Sequence, residues 1–158
     1  MLGNLIKNLK ITHLTADGTN YPLAAGTTDA ESGYVDMADW DGVLFLVVMG
    51  DNADTATLTA KVEQCDTSGG TYAGLTGASY SLTAGASDTD HKMIGFDVYK
   101  PLKRYLHLDF DRGTANTVIQ SVIAIQYRGR KNPITQAVTA GQFNAAAAVM
   151  AVVSPAEA

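Results

Sequence analysis

Apolar and polar side chains alternate along much of this chain, and the alternation has period two. From Leu106 the apolar positions are Leu106, Leu108 and Phe110, with His107, Asp109 and Asp111 between them. Successive strand side chains point to opposite faces, so one row is assigned to a core and the other to solvent or a partner. Arg112-Gly113-Thr114-Ala115-Asn116 supplies turn chemistry. Thr117 to Tyr127 is rich in β-branched residues and reads as a strand running back, which makes a hairpin the expected centre of the fold. Thr55 to Cys65 alternates as well, with Ala56, Leu58, Ala60 and Val62 on one side and Thr57, Thr59, Lys61 and Glu63 on the other. Gly42 to Gly50 is a continuous apolar run, expected as a strand buried on both faces or covered by a neighbour. Lys92 to Val98 places Ile94, Phe96 and Val98 on one face. Shorter strands are expected at Tyr34–Met37 and Ser79–Thr83, and around Asn20 to Leu23.

The segments between these runs read as connections. Thr12 to Ser32 and Asp66 to Ser79 are rich in Gly, Thr, Ser, Ala and Asp and are expected as loops, and Ala38 to Gly42 as a turn. About eight short strands with little helix predict an all-β chain, a single β-sandwich or jelly-roll-like domain over 12–133. Residues 1–11 are expected as an N-terminal arm or edge strand. Residues 134–158 are expected as an Ala-rich C-terminal arm that orders on a neighbour.

Composition narrows the function classes. The single cysteine, Cys65, allows no intrachain disulfide, and 158 residues are enough for a core without one. No run approaches the roughly 20 apolar residues of a membrane helix, no signal-peptide pattern is present, and no membrane partner is expected. The net charge of −5 is unevenly distributed. Residues 1–97 hold four Lys and thirteen Asp or Glu, whereas residues 98–131 hold seven Lys or Arg and two Asp. Such a dipolar chain suits docking to a complementary protein surface. The acidic total argues against nucleic acid. Lys100, Lys103, Arg104, Arg112, Arg128, Arg130 and Lys131 are therefore the candidate subunit contacts.

Catalytic and ligand motifs are weak. His13, His91 and His107 have no metal spacing and no nucleophile-elbow neighbour. Asp51-Asn52-Ala53-Asp54 lacks the remaining ligands of a calcium loop. His107, Asp109 and Asp111 form the best polar constellation, expected as a hydrated or subunit-facing strand face. Trp40 is expected to plug one end of the sandwich. No cofactor, metal or enzymatic activity is expected.

Three stretches, Val62 to Tyr72, Phe96 to Pro133 and the Ala-rich tail, together resemble a family of auxiliary capsid proteins of tailed bacteriophages, the cement, decoration or head-stabilisation proteins. The most telling parts are Tyr99-Lys100-Pro101-Leu102-Lys103-Arg104-Tyr105, Arg112 to Thr117, and Ala124-Ile125-Gln126-Tyr127. The resemblance spans about residues 42–133. It implies a β-rich homo-oligomer, a trimer, that binds the major capsid protein on the virion exterior after assembly in the host cytoplasm. It carries over no active-site residue. Other readings left open are a tail-tube or head–tail joining protein, and a glycan- or receptor-binding sandwich using Trp40, Tyr72 and Tyr80.

Overall fold

A computed structural model describes residues 5, 8–20, 22–86 and 88–130. The expected C-terminal arm, Lys131 and most of the expected N-terminal arm lie outside these residues. Ten strands run in chain order: β1 (Leu9–Leu14), β2 (Leu23–Gly26), β3 (Ala30–Glu31), β4 (Val35–Asp36), β5 (Trp40–Met49), β6 (Thr57–Cys65), β7 (Ala73–Thr83), β8 (Met93–Tyr99), β9 (Tyr105–Gly113) and β10 (Thr117–Gly129). They form two five-stranded sheets. The first has the order β1-β10-β5-β8, with β2 also on β10; the second has β3-β9-β6-β7, with β4 also on β9. All pairings are antiparallel. Apart from the β6–β7 hairpin and the stretch from β3 to β4, each connection after β2 passes to the other sheet. The chain thus winds around the core as a jelly roll, a β-sandwich whose first and last long strands are neighbours.

The expected hairpin at 105–127 is absent. β9 pairs with β3, β4 and β6, while β10 pairs with β1, β2 and β5, so the two strands belong to opposite sheets. Thr114, at positive φ, and its neighbours arch the chain over one end of the sandwich. Both strands send apolar rows inward. Leu106, Leu108 and Phe110 meet Val122 and Ala124 in a core completed by Val43, Phe45, Val47, Leu58 and Val62. Alternation had specified which residues face the core, but not which strand lies alongside.

Three loop expectations are also corrected. β1 continues to Leu14, and β2 and β3 lie inside the stretch expected as loop. Trp40 to Gly42 form the start of β5, and Trp40 packs half-buried against the core. β7 begins at Ala73, six residues before the expected strand. Its register jumps from Glu63↔Gly74 to Lys61↔Ser79, which leaves 75–78 as a wide bulge opposite Val62 with Gly77 at φ +83. A glycine-rich bulge looks like a loop in sequence yet keeps its pairing on both sides.

The outer faces of the two sheets differ. On β6 and β9 the outward residues are polar, from Thr57, Thr59, Lys61 and Glu63 to Asp111, Asp109 and His107. On β5 and β10 they are apolar. The register aligns Leu44 with Ile125, Leu46 with Ile123 and Val48 with Ser121, and β1 adds Ile11 beside Ile125. A register shift between Ile119 and Ser121 reverses the parity of β10. It buries Ala124 and Gln126 and leaves the larger Ile123 and Ile125 on the outer face, only half-buried.

Candidate functional site

The polar constellation around His107 is built by strand register. Across the outer face of β6 and β9, Lys61 lies opposite Asp109 and Glu63 opposite His107. Lys61 Nζ is 2.8 Å from Asp109, 3.5 Å from Glu63 and 3.6 Å from Asp111. The bond to Asp109 and that carboxylate's field, and after them the fields of Asp111 and Glu63, raise the Lys61 pKa above the usual ammonium range. His107 Nε2 is 3.2 Å from Glu63 Oε2, and Nδ1 is 3.9 Å from Glu31 on β3. From the β6–β7 connection Tyr72 stacks on the imidazole with ring centroids 3.9 Å apart at 21°. Burial drives the Tyr72 phenol up to about 12.

The expectation of a hydrated or partner-facing strand face fails at its centre. His107 is 4% exposed and Asp109 9%, while Asp111 remains open. Tyr72 and the β3 segment cover them, and neither contributor is visible from the period-two pattern of β9. A shallow acidic hollow of about 360 Å3, lined by Asp17, Asp29, Glu31 and Asp109, lies beside the cluster. Among the described residues no group of His, Cys, Asp or Glu is arranged to hold a metal ion. Both imidazole nitrogens face carboxylates and one ring face is covered, so the arrangement acts as a polar lock between β3, β6 and β9.

The candidate basic contacts separate into three groups. Lys100, Lys103, Arg104, Arg128 and Arg130 collect at the end of the sandwich where β6, β8 and β10 finish. Most meet a partner from their own chain. Arg104 grips Asp36 through two bonds of 2.8 and 2.7 Å, Lys103 lies 3.3 Å from Asp66, and Arg130 lies 3.8 Å from Asp41. Lys100 and Arg128 flank the Tyr99 ring, and Arg128 donates to its hydroxyl at 2.9 Å. Arg112 is at the opposite end, partly buried, donating to the carbonyls of Thr28, Ala24 and Thr117. Lys131 lies outside the described residues. Intrachain acids thus balance much of the basic segment that looked free in sequence.

Trp40, Tyr72 and Tyr80 do not converge: Trp40 begins β5, Tyr72 caps His107, and Tyr80 sits on edge strand β7. Two surface features replace the expected site. One is the apolar outer face of β5 and β10. Its sequence signal was two-sided apolarity, Val43 to Met49 in β5 and the isoleucines of β10. The other is a groove of about 710 Å3 between edge strands β7 and β8.

No protein-family profile matches the chain, and no curated protein sequence does. Among solved structures, the chain is similar to the Eiger TNF of S. frugiperda at 8% identity and TM-score 0.40, over 82% of this chain and 99% of that one. It is also similar to the CBM22-1–GH10 modules of Clostridium thermocellum xylanase 10B, complexed with xylohexaose, at 18% identity and TM-score 0.39. That match covers 86% of this chain and 30% of the other. The likenesses concern the sandwich architecture alone. The chain is an all-β, jelly-roll-like sandwich.

Proposed function

We propose that this protein is a non-enzymatic structural protein of a tailed-bacteriophage virion, which binds the outer surface of the capsid and stabilises the shell by bridging its subunits. The observation that carries the reading is the half-buried apolar outer face formed by Leu44, Leu46, Val48, Ile123 and Ile125. An antiparallel sheet that faces only water is polar on its outer side, as β6 and β9 are here. A contiguous apolar face marks protein contact. The resemblance of residues 42–133 to cement proteins supplies the class of partner. A ligand that binds the assembled shell and not its free parts stabilises the shell by mass action. The homo-oligomer is a trimer, a closed ring of heterologous contacts.

The test is co-sedimentation with purified capsids that lack their decoration, followed by native mass measurement of the free protein. Wild type should pellet with capsids, and Leu46→Lys with Ile123→Lys should stay in the supernatant while remaining folded by circular dichroism. Equal pelleting of the double variant would remove the observation that carries the proposal. Rings of more than three copies in the mass spectrum would favour a tail-tube or joining protein.

A further inference from the structure

The strands that end the two sheets are not equally guarded. A strand edge presents unpaired N–H and C=O groups, and proteins protect it with charge, proline, a bulge or shortness. β8 ends the first sheet and pairs only with β5 among the described residues. It carries Asp97, exposed, and lies between Lys92 and Lys100. β1, on the other side of that sheet, carries Lys10. β2 has four residues, and Arg112 donates to its Ala24 carbonyl at 2.9 Å. β3 and β4 have two residues each and hold Glu31 and Asp36. β7 ends the second sheet and pairs only with β6 among the described residues. It has eleven residues, with no charge and no proline. The uncharged stretch exceeds the strand: residues 67–87 contain no Asp, Glu, Lys, Arg or Pro. The protection of β7 is its bulge at 75–78, which leaves Ser79 to Thr83 as a regular, bare edge.

Apolar surface is open along the same edge. Tyr80 lies opposite Ala60, and Leu82 opposite Leu58, so both sit on the core-facing side of their strand. Ala60 and Leu58 are buried, yet Tyr80 is 52% exposed. Tyr80 and Leu82 line the groove of about 710 Å3 together with Ile94 and Phe96 of β8. Ser79, Ser81 and Thr83 belong to the outer face, where Ser81 shares a hydrogen bond of 2.8 Å with Thr59.

The missing charge points to the occupant. A twofold contact is self-complementary and brings a strand edge against its own copy, so a charged edge repels itself and an uncharged edge does not. In an antiparallel pair, opposed residues share a face of the sheet, so two β7 strands pair positions of equal parity. The regular edge 79–83 is centred on Ser81. An axis there sets Ser81 opposite Ser81, Tyr80 opposite Leu82 and Ser79 opposite Thr83. Each exposed tyrosine meets an aliphatic side chain on one face, and hydroxyls meet hydroxyls on the other, both favourable cross-strand combinations. Lys61, one strand in and opposite Ser79, is already held by Asp109 at 2.8 Å.

We infer that two copies of this chain pair edge to edge through β7, antiparallel about a twofold axis at Ser81, and join their second sheets into one continuous sheet. The contact covers Tyr80 and Leu82. It requires neither a capsid nor a threefold ring. Alone it makes a dimer; added to a threefold ring it joins two rings into six copies.

The test is native mass measurement of the full-length protein and of Ser81→Lys. Position 81 is exposed, so the variant should stay folded by circular dichroism while setting lysine against lysine across the axis. Wild type should contain an even number of copies, and Ser81→Lys half that number. Six copies falling to three uphold the pairing and the threefold ring together. Two falling to one uphold the pairing and remove the ring. Equal masses for wild type and Ser81→Lys, at any copy number, would overturn the pairing. The axis is checked separately by oxidation in a Cys65→Ser background. Ser81→Cys should cross-link into dimers, whereas Ser79→Cys, about 14 Å along the strand from its own copy, should not. Ser81→Cys linking no faster than Ser79→Cys would overturn the placement of the axis.

Discussion

Tyr127 on β10 donates its hydroxyl to Asp97 on β8 at 2.6 Å, crossing the central strand between them. The crossing is possible because the residue underneath is Gly42, directly opposite Tyr127 in the register. A Cβ at Gly42 would meet the Tyr127 ring well inside contact distance. Gly42→Ala should therefore destabilise the fold by about 1–3 kcal/mol, the usual range for forcing atoms into a packed site. Tyr127→Phe, which keeps the ring and loses the bond, should cost about 1 kcal/mol. Chemical denaturation of the singles and the double gives the coupling. A Gly42→Ala variant as stable as wild type would mean that the ring swings away freely.

Tyr127 also enters a pH prediction. Burial first, then the bond to Asp97, pushes the Tyr127 phenol up to about 12, and Tyr72 is raised to about 12 chiefly by burial. An unfolded tyrosine ionises near 10. A raised folded value gives stability that is present below the unfolded value and lost as pH climbs from about 10 to about 12. In acid the sign reverses. Arg104 holds the Asp36 carboxyl below its ordinary value, and bonds from Asn20 and Thr19 hold Asp17 well below the carboxylate range. Their contributions are present above about pH 4 and lost as pH falls through the folded values. Thermal unfolding against pH should show a plateau that declines at both limits. Asp36→Asn should lower the plateau and flatten the acid limb; an unchanged acid limb would assign the loss to other carboxylates.

Lys61 is the lysine held between Asp109, Glu63 and Asp111. Lys61→Met should leave three carboxylates together on the outer face of β6 and β9 and cost about 1–2 kcal/mol, between the values for exposed and buried pairs. The loss should shrink as pH is lowered toward the carboxylate pKa values and their charges are removed. A loss that stays constant from neutral pH to pH 4 would indicate lost packing by the lysine stem instead of charge.

The inward rows of β6, β8 and β9 were legible, because each is a long strand whose two faces differ in polarity. Pairing was not. The Thr114 arch and a hairpin turn use the same residue types, so the local sequence does not say which sheet receives β10. Parity failed where a bulge intervened. The shift after Ile119 turns Ile123 and Ile125 outward, and in β1 the register points Thr12 and Leu14 at the core while Ile11 faces out. Periodicity assigned His107 correctly to the outer face but could not show Tyr72 over it, because that contact arises from a connection. For the basic segment, charge counts gave the totals but hid the pairings, since Asp36, Asp41 and Asp66 are distant in sequence from Arg104, Arg130 and Lys103.

Arg112 separates a structural from a contact role among the candidate cations. Its Nε donates to Thr28 O at 2.6 Å, and its Nη1 to Ala24 O at 2.9 Å and Thr117 O at 3.0 Å. One planar group thus fastens β2 and the turn after it to the start of β10. Burial lowers the Arg112 pKa. Arg112→Met leaves three carbonyls without their donor and should cost about 2–4 kcal/mol, less than three independent bonds because the segment relaxes into water. Arg112→Lys should recover only a small part, since an ammonium lacks the fork geometry. Lys100→Ala and Arg128→Ala, on exposed side chains at the other end, should each stay within about 0.5 kcal/mol of wild type. Hydrogen exchange should rise at β2 in the Arg112 variants and stay constant at β6. An Arg112→Met protein with native stability and native β2 protection would return this residue to the set of free surface cations, available for partners.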